Sequence, residues 1–196
     1  MKMFEDYIFT LASASPRRRE LLKGLDIDFT VEPGKDEREV FSEGLPHTEI
    51  PAFLARHKSE TFHRDLVPGE VLITADTLVC LDEQILGKPH DAEEAAAMLR
   101  ALSGRTHTVI TGMALRTREK MHSFIDVTEV DFRPLTDDEI AYYIEHYRPF
   151  DKAGAYGIQE WIGYVGITAI RGSYFNVMGL PVQRLYMELC NFISSQ

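Results

Sequence analysis

The chain has 196 residues, of which 44% are hydrophobic and 27% are charged, so it is long enough to bury one substantial core. Its 31 acidic and 21 basic residues give a formal net charge of -10, which repels polyanions and disfavours nucleic acid or anionic membranes as partners. Cys80 and Cys190 fit neither a disulfide framework nor a metal-ligand spacing. No signal-peptide pattern opens the chain, and no apolar run approaches the roughly 20 residues that cross a bilayer. We expect one soluble, cytoplasmic domain spanning residues 1–196.

The order of apolar runs and capping residues predicts an α/β protein. β-rich runs predict strands at residues 7–12, 29–31, 71–75, 85–87, 106–115 and 121–132, and a further apolar run spans residues 78–81. Helical spacing and caps predict helices at residues 17–24, 50–62, 92–102, 136–147 and about 180–193. We interpret the polar stretch 34–49 as a loop. This order predicts a mixed β-sheet with flanking helices, in which the last two strand runs are candidates for an antiparallel pair.

The turn between the first strand and the first helix has the features of an anion site. Ser15 is suited to cap the helix, with Pro16 at its first position. Free backbone N–H groups and the helix dipole favour an anion at such a turn. Arg17 and Arg18 can grip phosphate oxygens bidentately, and the hydroxyl of Ser13 adds a further donor. An ordinary capped helix with a solvated basic face is the alternative.

Asp76 and Thr77 follow the apolar run 71–75, where a strand delivers its side chains to a cleft. Glu37, in the acidic loop, is a candidate partner for the Asp76 carboxylate. Carboxylates near a phosphate site hold Mg²⁺ or Mn²⁺, and one carboxylate can orient or deprotonate the attacking water. A carboxylate that caps a turn is the alternative for Asp76.

Two further motifs are weak when taken singly. Lys88, in Gly87-Lys88-Pro89, can present a point charge to phosphate, but exposed turn lysines are common. The segment 151–159 places small residues beside Gln159, whose amide offers both a donor and an acceptor to a base edge. A surface turn in which Asp151 and Lys152 are merely paired is the alternative. We interpret His107 as a structural histidine.

Together these motifs resemble the Maf family of nucleotide pyrophosphatases, in order and over nearly the whole chain. The matching segments are Leu11-Ala12-Ser13-Ala14-Ser15-Pro16-Arg17-Arg18, Ala75-Asp76-Thr77, Gly87-Lys88-Pro89, Ser103-Gly104 with His107, Asp151-Lys152-Ala153-Gly154 through Gln159, and Gly172-Ser173-Tyr174 to Pro181. The resemblance implies a fold like that of the inosine-triphosphate pyrophosphatases, with two lobes around a cleft. It also implies a homodimer in many members.

The resemblance implies roles for single residues. Asp76 is similar to the family's general base, and Glu37 is similar to its metal or water ligand, although Asp36 is an alternative for that position. The phosphate ligands that it implies are Arg17, Arg18, Lys58 and Lys88. Arg17, Thr77 and Gln159 fall where the dTTP and UTP branch carries its specificity residues.

The predicted activity is hydrolysis of dTTP or UTP to the monophosphate and pyrophosphate, with Mg²⁺ or Mn²⁺ and without a covalent intermediate. An alternative within the enzymes is a pyrophosphatase acting on 7-methyl-GTP or another purine nucleotide. An alternative from another class is a non-catalytic nucleotide sensor that inhibits cell division. Retention of both Asp76 and Lys88 argues against the sensor.

Overall fold

A computed structural model describes residues 2–34 and 44–194 of the chain. Its strands within these residues are β1 Ile8–Leu11, β2 Phe29–Val31, β3 Glu70–Leu81, β4 Gln84–Leu86, β5 Thr106–Arg116, β6 Met121–Phe132 and β7 Ile167–Arg171. Its α-helices there are α1 Pro16–Lys23, α2 Ile50–Glu60, α3 Ala92–Leu102, α4 Asp137–Tyr147, α5 Trp161–Gly166, α6 Tyr174–Met178 and α7 Val182–Ser194. None of the helices in these ranges is long and apolar enough to cross a bilayer.

The strands form a mixed sheet in the order β2-β1-β3-β5-β6-β7, and β4 pairs with β3. β1 runs parallel to both β2 and β3, whereas the pairs β3–β4 and β6–β7 are antiparallel. This arrangement confirms the predicted α/β class with a mixed sheet and flanking helices. The chain divides into two compact units, the first comprising Met1–Asp76, Thr111–Asp126 and Gly179–Gln196 and the second comprising Thr77–Ile110 and Val127–Met178.

The predicted caps explain where three helices begin. Ser15 accepts a hydrogen bond from the Arg18 backbone at the start of α1, and Asp91 accepts one from the Glu94 backbone at the start of α3. At α4 the Thr136 side chain accepts from the Glu139 backbone, and the Glu139 side chain accepts from the Thr136 backbone. Each cap satisfies N–H groups that a helix start leaves without an intrahelical partner. The predicted starts of these helices are therefore confirmed.

β3 corrects the prediction that a strand ends at Asp76. Residues 70–81 form one continuous strand, and Asp76 lies in its middle rather than at its end. The strand is buried along almost its whole length, as is typical of a strand covered on both faces. It therefore stays regular through Asp76. The sequence predicts that the strand ends there, because a carboxylate inside an apolar run is costly without a partner. Lys58 is that partner.

The glycine-dense segment after α4 also holds more regular structure than the sequence predicts. It contains α5 and β7, and α6 follows directly after it. Gly163 allows α5 to pack closely, because a Cβ there would lie 1.8 Å from the Ile158 carbonyl oxygen. Helices of five or six residues are marginal without tertiary contacts. No periodic pattern was available to reveal them.

Each unit has its own hydrophobic contacts. In the second unit, α3 and α4 pack on strand residues through buried side chains that include Leu99, Ile140, Tyr143, Val109 and Val130. In the first unit, Leu72 of β3 lies in a cluster with Ala12, Phe62 and Leu66. Gly112 of β5 lies so close to α2 that a Cβ would be 2.1 Å from the Pro51 carbonyl carbon. This close approach fixes α2 against the sheet.

A buried ion pair joins the ends of two strands in the first unit. Glu70, at the start of β3, is 1% exposed and accepts from Arg64 at 2.8 and 2.9 Å. The Thr10 hydroxyl and the Val67 backbone N–H also donate to it, at 2.7 and 2.9 Å. Arg64 further donates to Glu32, which follows β2. The hydrogen bonds from Arg64 lower the pKa of Glu70 to about 2.

We predict that Arg64→Met lowers the free energy of unfolding by about 3 kcal/mol at pH 7, because it leaves a buried carboxylate without its counterion. The folded pKa of Glu70 lies below its ordinary value of 4.5, so the pair stabilises the protein above pH 4.5 and less as the pH falls towards 2. Urea unfolding of both proteins between pH 7 and pH 3 measures this. The difference between them should shrink below pH 4.5.

The matched control is Arg100→Met, since Arg100 pairs with Asp137 at 2.7 Å on an exposed surface. An exposed pair contributes little, and its loss should change stability by less than about 1 kcal/mol. Equal losses in the two variants, or a loss for Arg64→Met that does not depend on pH, would contradict the assignment of Glu70.

Candidate active site

The turn between β1 and α1 carries two serine hydroxyls that accept hydrogen bonds from backbone N–H groups. Ser13 is buried, and its hydroxyl accepts from the Ser15 backbone N–H at 3.2 Å. The Ser15 hydroxyl in turn accepts from the Arg18 backbone N–H at 3.4 Å. Arg17 is partly buried in the first turn of α1. These serines lie at the start of α1, where the helix dipole favours an anion, and the binding of phosphate here stays a prediction.

Arg18 ties this turn to β3. Its Nη1 donates to the Ala75 carbonyl at 2.8 Å, and its Nε donates to the Gly179 carbonyl at 2.8 Å. Ala75 immediately precedes Asp76, so the guanidinium fixes the backbone from which the Asp76 side chain projects. These bonds give Arg18 a structural role that sequence reasoning did not predict. Its predicted role as a phosphate ligand stays a prediction.

Asp76 and Lys58 form the central charged pair of the first unit. Lys58, on α2, donates from Nζ to Oδ1 of Asp76, whose side chain is only 6% exposed. Two residues earlier on the same face of β3, the Thr74 hydroxyl donates to the Ala55 carbonyl at 2.7 Å. Ala55 and Lys58 are three residues apart and share a face of α2. The Thr74 bond thus sets the register that brings the lysine to the carboxylate.

This pair has the chemistry of a hydrolytic centre. The lysine holds the buried carboxylate in a defined orientation, and a carboxylate so placed can accept a proton from water. Lys58 supplies a positive charge that would offset the negative charge of an approaching phosphate. Among residues 2–34 and 44–194, no group of three or more Asp, Glu, His or Cys side chains is arranged as a metal site. Glu37, the predicted metal ligand, and its alternative Asp36 lie outside the described residues.

The second unit carries the other predicted motifs. Lys88 is exposed in the turn after β4, and Thr77 is partly buried on β3, directly after Asp76. The Gly154 backbone N–H donates to the Gly87 carbonyl at 3.0 Å, which joins the Lys88 turn to the segment 151–159. Gly154 has φ +68 and lies against Val79, so this contact requires glycine. The structure thus brings together two motifs that are over 60 residues apart.

Gln159 lies in a loop whose backbone is hydrogen-bonded to buried side chains. Lys152 is 8% exposed and pairs with Asp151 at 2.7 Å and with Glu160 at 3.1 Å. The sequence offered ligand approach or a surface turn with Asp151 and Lys152 merely paired, and it gave no sign of the contact between Lys152 and Glu160. Glu160 and its partner Tyr143 gave no motif signal, because their contact joins a loop to a separate helix. The interpretation of this segment as a mere surface turn is therefore wrong for Lys152.

His107 is a structural histidine, as predicted. Its Nε2 is hydrogen-bonded to the Tyr156 hydroxyl at 2.7 Å, and its ring packs near Phe132. Burial lowers the pKa of His107 to about 4, so the ring is neutral at pH 7. Tyr156 belongs to the segment 151–159, and the bond therefore anchors that segment to β5.

We predict that Arg18→Met lowers the free energy of unfolding by about 2 kcal/mol, because two charge-assisted hydrogen bonds to backbone carbonyls are lost. Arg19→Met is the matched control, since Arg19 is exposed on the same helix. Urea denaturation of the two variants checks the prediction. A loss of stability for Arg18→Met no larger than for Arg19→Met would show that the two bonds do not hold α1 to β3.

Residues 8–192 match the family model of the Maf-like proteins. A dTTP/UTP pyrophosphatase of Bacteroides fragilis is 53% identical over 93% of this chain and 95% of its own length. Proteins of the same name are 52% identical in Phocaeicola vulgatus, over 96% of this chain and 98% of theirs, and 50% identical in Parabacteroides distasonis, over 98% and 100%.

Among solved structures, a HAM1 protein from Coxiella burnetii aligns with 64% of this chain and 73% of its own, at 19% identity and a TM-score of 0.39. The family model covers almost all of the chain, and the relatives of about 50% identity span nearly their full length. The chain belongs to the Maf family.

Proposed function

We propose that this chain is a nucleoside triphosphate pyrophosphatase that hydrolyses dTTP and UTP to the monophosphate and pyrophosphate. The observation that carries the proposal is the ion pair between the buried Asp76 carboxylate and Lys58. Arg18, near the serine-rich start of α1, donates to the carbonyl of Ala75, the residue before Asp76. The relatives named dTTP/UTP pyrophosphatase match this chain over nearly its whole length, which supports the substrate class.

In the proposed reaction, Asp76 is the general base. It takes a proton from water as the water oxygen attacks the α-phosphorus in line with the leaving group. The bond between the α-phosphorus and the bridging oxygen breaks, and pyrophosphate leaves with the bonding electron pair. Lys58 orients the Asp76 carboxylate and places a positive charge beside it. No covalent intermediate forms on the chain.

The remaining proposed ligands bind the triphosphate and the pyrimidine. Ser13, Arg17, Arg18, Lys58 and Lys88 bind the triphosphate, because fixed cations and donors stabilise the charge that develops on the transferring group and on pyrophosphate. Thr77 and Gln159 contact the pyrimidine, whose imide edge offers acceptor, donor and acceptor in turn. A glutamine amide can pair with two of these positions.

A divalent cation, Mg²⁺ or Mn²⁺, fits the donors of this site. Such cations bind through one or two carboxylates and complete their coordination with water and substrate phosphates. The described carboxylate is Asp76, and we propose Glu37, outside the described residues, as the second ligand. When bound, the cation neutralises phosphate charge and polarises the phosphoryl oxygen. A preformed cluster of three protein ligands is not needed for this.

We further propose that residues 1–196 act as one domain in the cytoplasm, as a monomer or a homodimer. The net charge of -10 supports a small-molecule substrate over nucleic acid or a membrane, because a local cluster of cations binds a small anion whereas the overall field repels a polyanion. The same enzyme would remove modified pyrimidine nucleotides before their incorporation and would link nucleotide supply to cell-division arrest.

The proposal predicts pyrophosphate release from dTTP and UTP, in a panel that also contains CTP, GTP and 7-methyl-GTP. Activity should require Mg²⁺ or Mn²⁺ and stop with excess EDTA, because the cation offsets the triphosphate charge. Release of orthophosphate instead of pyrophosphate would contradict attack at the α-phosphorus. Preference for 7-methyl-GTP would favour a purine pyrophosphatase, and thermal stabilisation by nucleotide without turnover would favour a nucleotide sensor.

Asp76→Asn should lower kcat by about 10³-fold, since loss of a general base typically costs 10²- to 10⁴-fold. The KM for UTP should change little, because an amide keeps the shape and part of the hydrogen bonding of the carboxylate. Asp82→Asn is the control at the end of the same strand, where Asp82 forms an exposed pair with Arg105. Wild-type turnover by Asp76→Asn would remove Asp76 from the role of base.

A further inference from the structure

Lys152 is a buried ammonium group outside the phosphate-binding turn. Only 9% of its side chain is exposed, and it lies 2.7 Å from Asp151 and 3.1 Å from Glu160. Taking a charge out of water costs several kcal/mol, which its partners offset only when their geometry is good. A lysine in this position is therefore a poor means of stabilising the fold. It is better explained by the geometry that it imposes on its partners.

The ion pair continues into a chain of hydrogen bonds. Glu160 accepts from the hydroxyl of Tyr143, a fully buried side chain on α4. The same hydroxyl accepts from the Gly157 backbone N–H at 2.9 Å. Burial and the hydrogen bond to Glu160 raise the pKa of Tyr143, so it stays a donor throughout the physiological range. One network thus holds the loop at residues 152, 157 and 160.

Gln159 lies between these anchored positions. A Cβ at Gly157 would be 2.9 Å from Oε2 of Glu160 and 3.1 Å from Nε2 of Gln159. The glutamine amide and the glutamate carboxylate therefore lie against the same small patch of backbone, which only glycine leaves open. A change in the Glu160 carboxylate position would alter the space available to the Gln159 amide.

We infer that Lys152, Glu160 and Tyr143 form a positioning network that fixes the backbone and amide of Gln159. The network thereby determines which nucleobase the site accepts. This inference rests on the proposed function, in which Gln159 contacts the pyrimidine. The three residues are positioning residues, because they act through Gln159 and the loop.

The orientation of the amide decides which base it accepts. Glutamine has a donor at one atom and an acceptor at the other, and uracil and cytosine exchange donor for acceptor at two positions of their pairing edges. A fixed amide therefore favours one pattern, whereas an amide free to rotate accepts both. A site built to pair with a polar edge rejects the wrong edge because its own buried groups would be left unpaired.

Tyr143→Phe is the direct test, because it removes the shared hydroxyl and keeps the ring. The ratio of kcat/KM for UTP to kcat/KM for CTP should fall by about tenfold, a loss typical of a relaxed hydrogen-bond filter. The change should appear in KM for UTP, with kcat within about twofold of wild type, since Asp76 is not part of the network. An unchanged ratio would overturn the inference.

Tyr147→Phe is the matched control. Tyr147 lies one turn later on α4, with its ring stacked on that of Tyr143 at 5.2 Å, and its side chain is exposed. Tyr147→Phe also removes a tyrosine hydroxyl from α4 but keeps the hydroxyl of Tyr143. The ratio should therefore stay at the wild-type value. A fall of equal size in both variants would indicate general loosening of α4 and would overturn the inference.

A second readout is independent of activity. The Gly157 amide proton should be protected from hydrogen exchange in the wild type and should exchange at least tenfold faster in Tyr143→Phe. If the wild-type chain hydrolyses no pyrimidine triphosphate, the proposed function fails while this readout still tests the network. Equal exchange of the Gly157 amide in both proteins overturns the network itself.

Should Tyr143→Phe fail to fold, Glu160→Gln carries the same test. Its amide still accepts from the Tyr143 hydroxyl, but the charge opposite Lys152 is gone. Lys152→Arg keeps the positive charge and should retain more of the UTP preference than Lys152→Met. Wild-type base preference in Glu160→Gln, or equal preference in the two Lys152 variants, would overturn the inference.

Discussion

Asp76 is a carboxylate inside a buried apolar strand, and the arrangement of the first unit follows from the need to accommodate it. Lys58 provides its counterion from α2. The Thr74 hydroxyl holds the same helix in register through the Ala55 carbonyl, and Gly112 allows the helix to approach the sheet closely. Without these contacts, a carboxylate at this depth would take up a proton or open the strand. The proposed base is thus oriented by the fold before any substrate arrives.

Arg64 and Arg18 stabilise the first unit in two different ways. Arg64 neutralises two carboxylates at the strand ends and lowers the pKa of both. Arg18 donates to two backbone carbonyls and holds the turn against the residue before Asp76. A guanidinium suits both tasks, because its planar fork can bridge two acceptors at once. A lysine at either position would satisfy fewer acceptors from a single point.

The second unit uses buried polar groups in a different way. Lys152, Glu160 and Tyr143 hold one loop, and His107 holds the same loop through Tyr156. A hydrophobic core alone could fill this volume with less desolvation. Directional hydrogen bonds instead hold the backbone of this loop in one conformation.

The sequence by itself determined the α/β class, most element positions, the helix caps at Ser15, Asp91 and Thr136, and the motifs that mark the Maf family. These depend on local periodicity, on side chains that bond within three residues, and on residue order. Only the tertiary structure decided that β3 runs unbroken through Asp76, that Arg18 is tied to Ala75, and that Lys152 is buried beside Glu160. Each of these depends on a partner from another element, and spacing along the chain does not reveal which distant side chains meet.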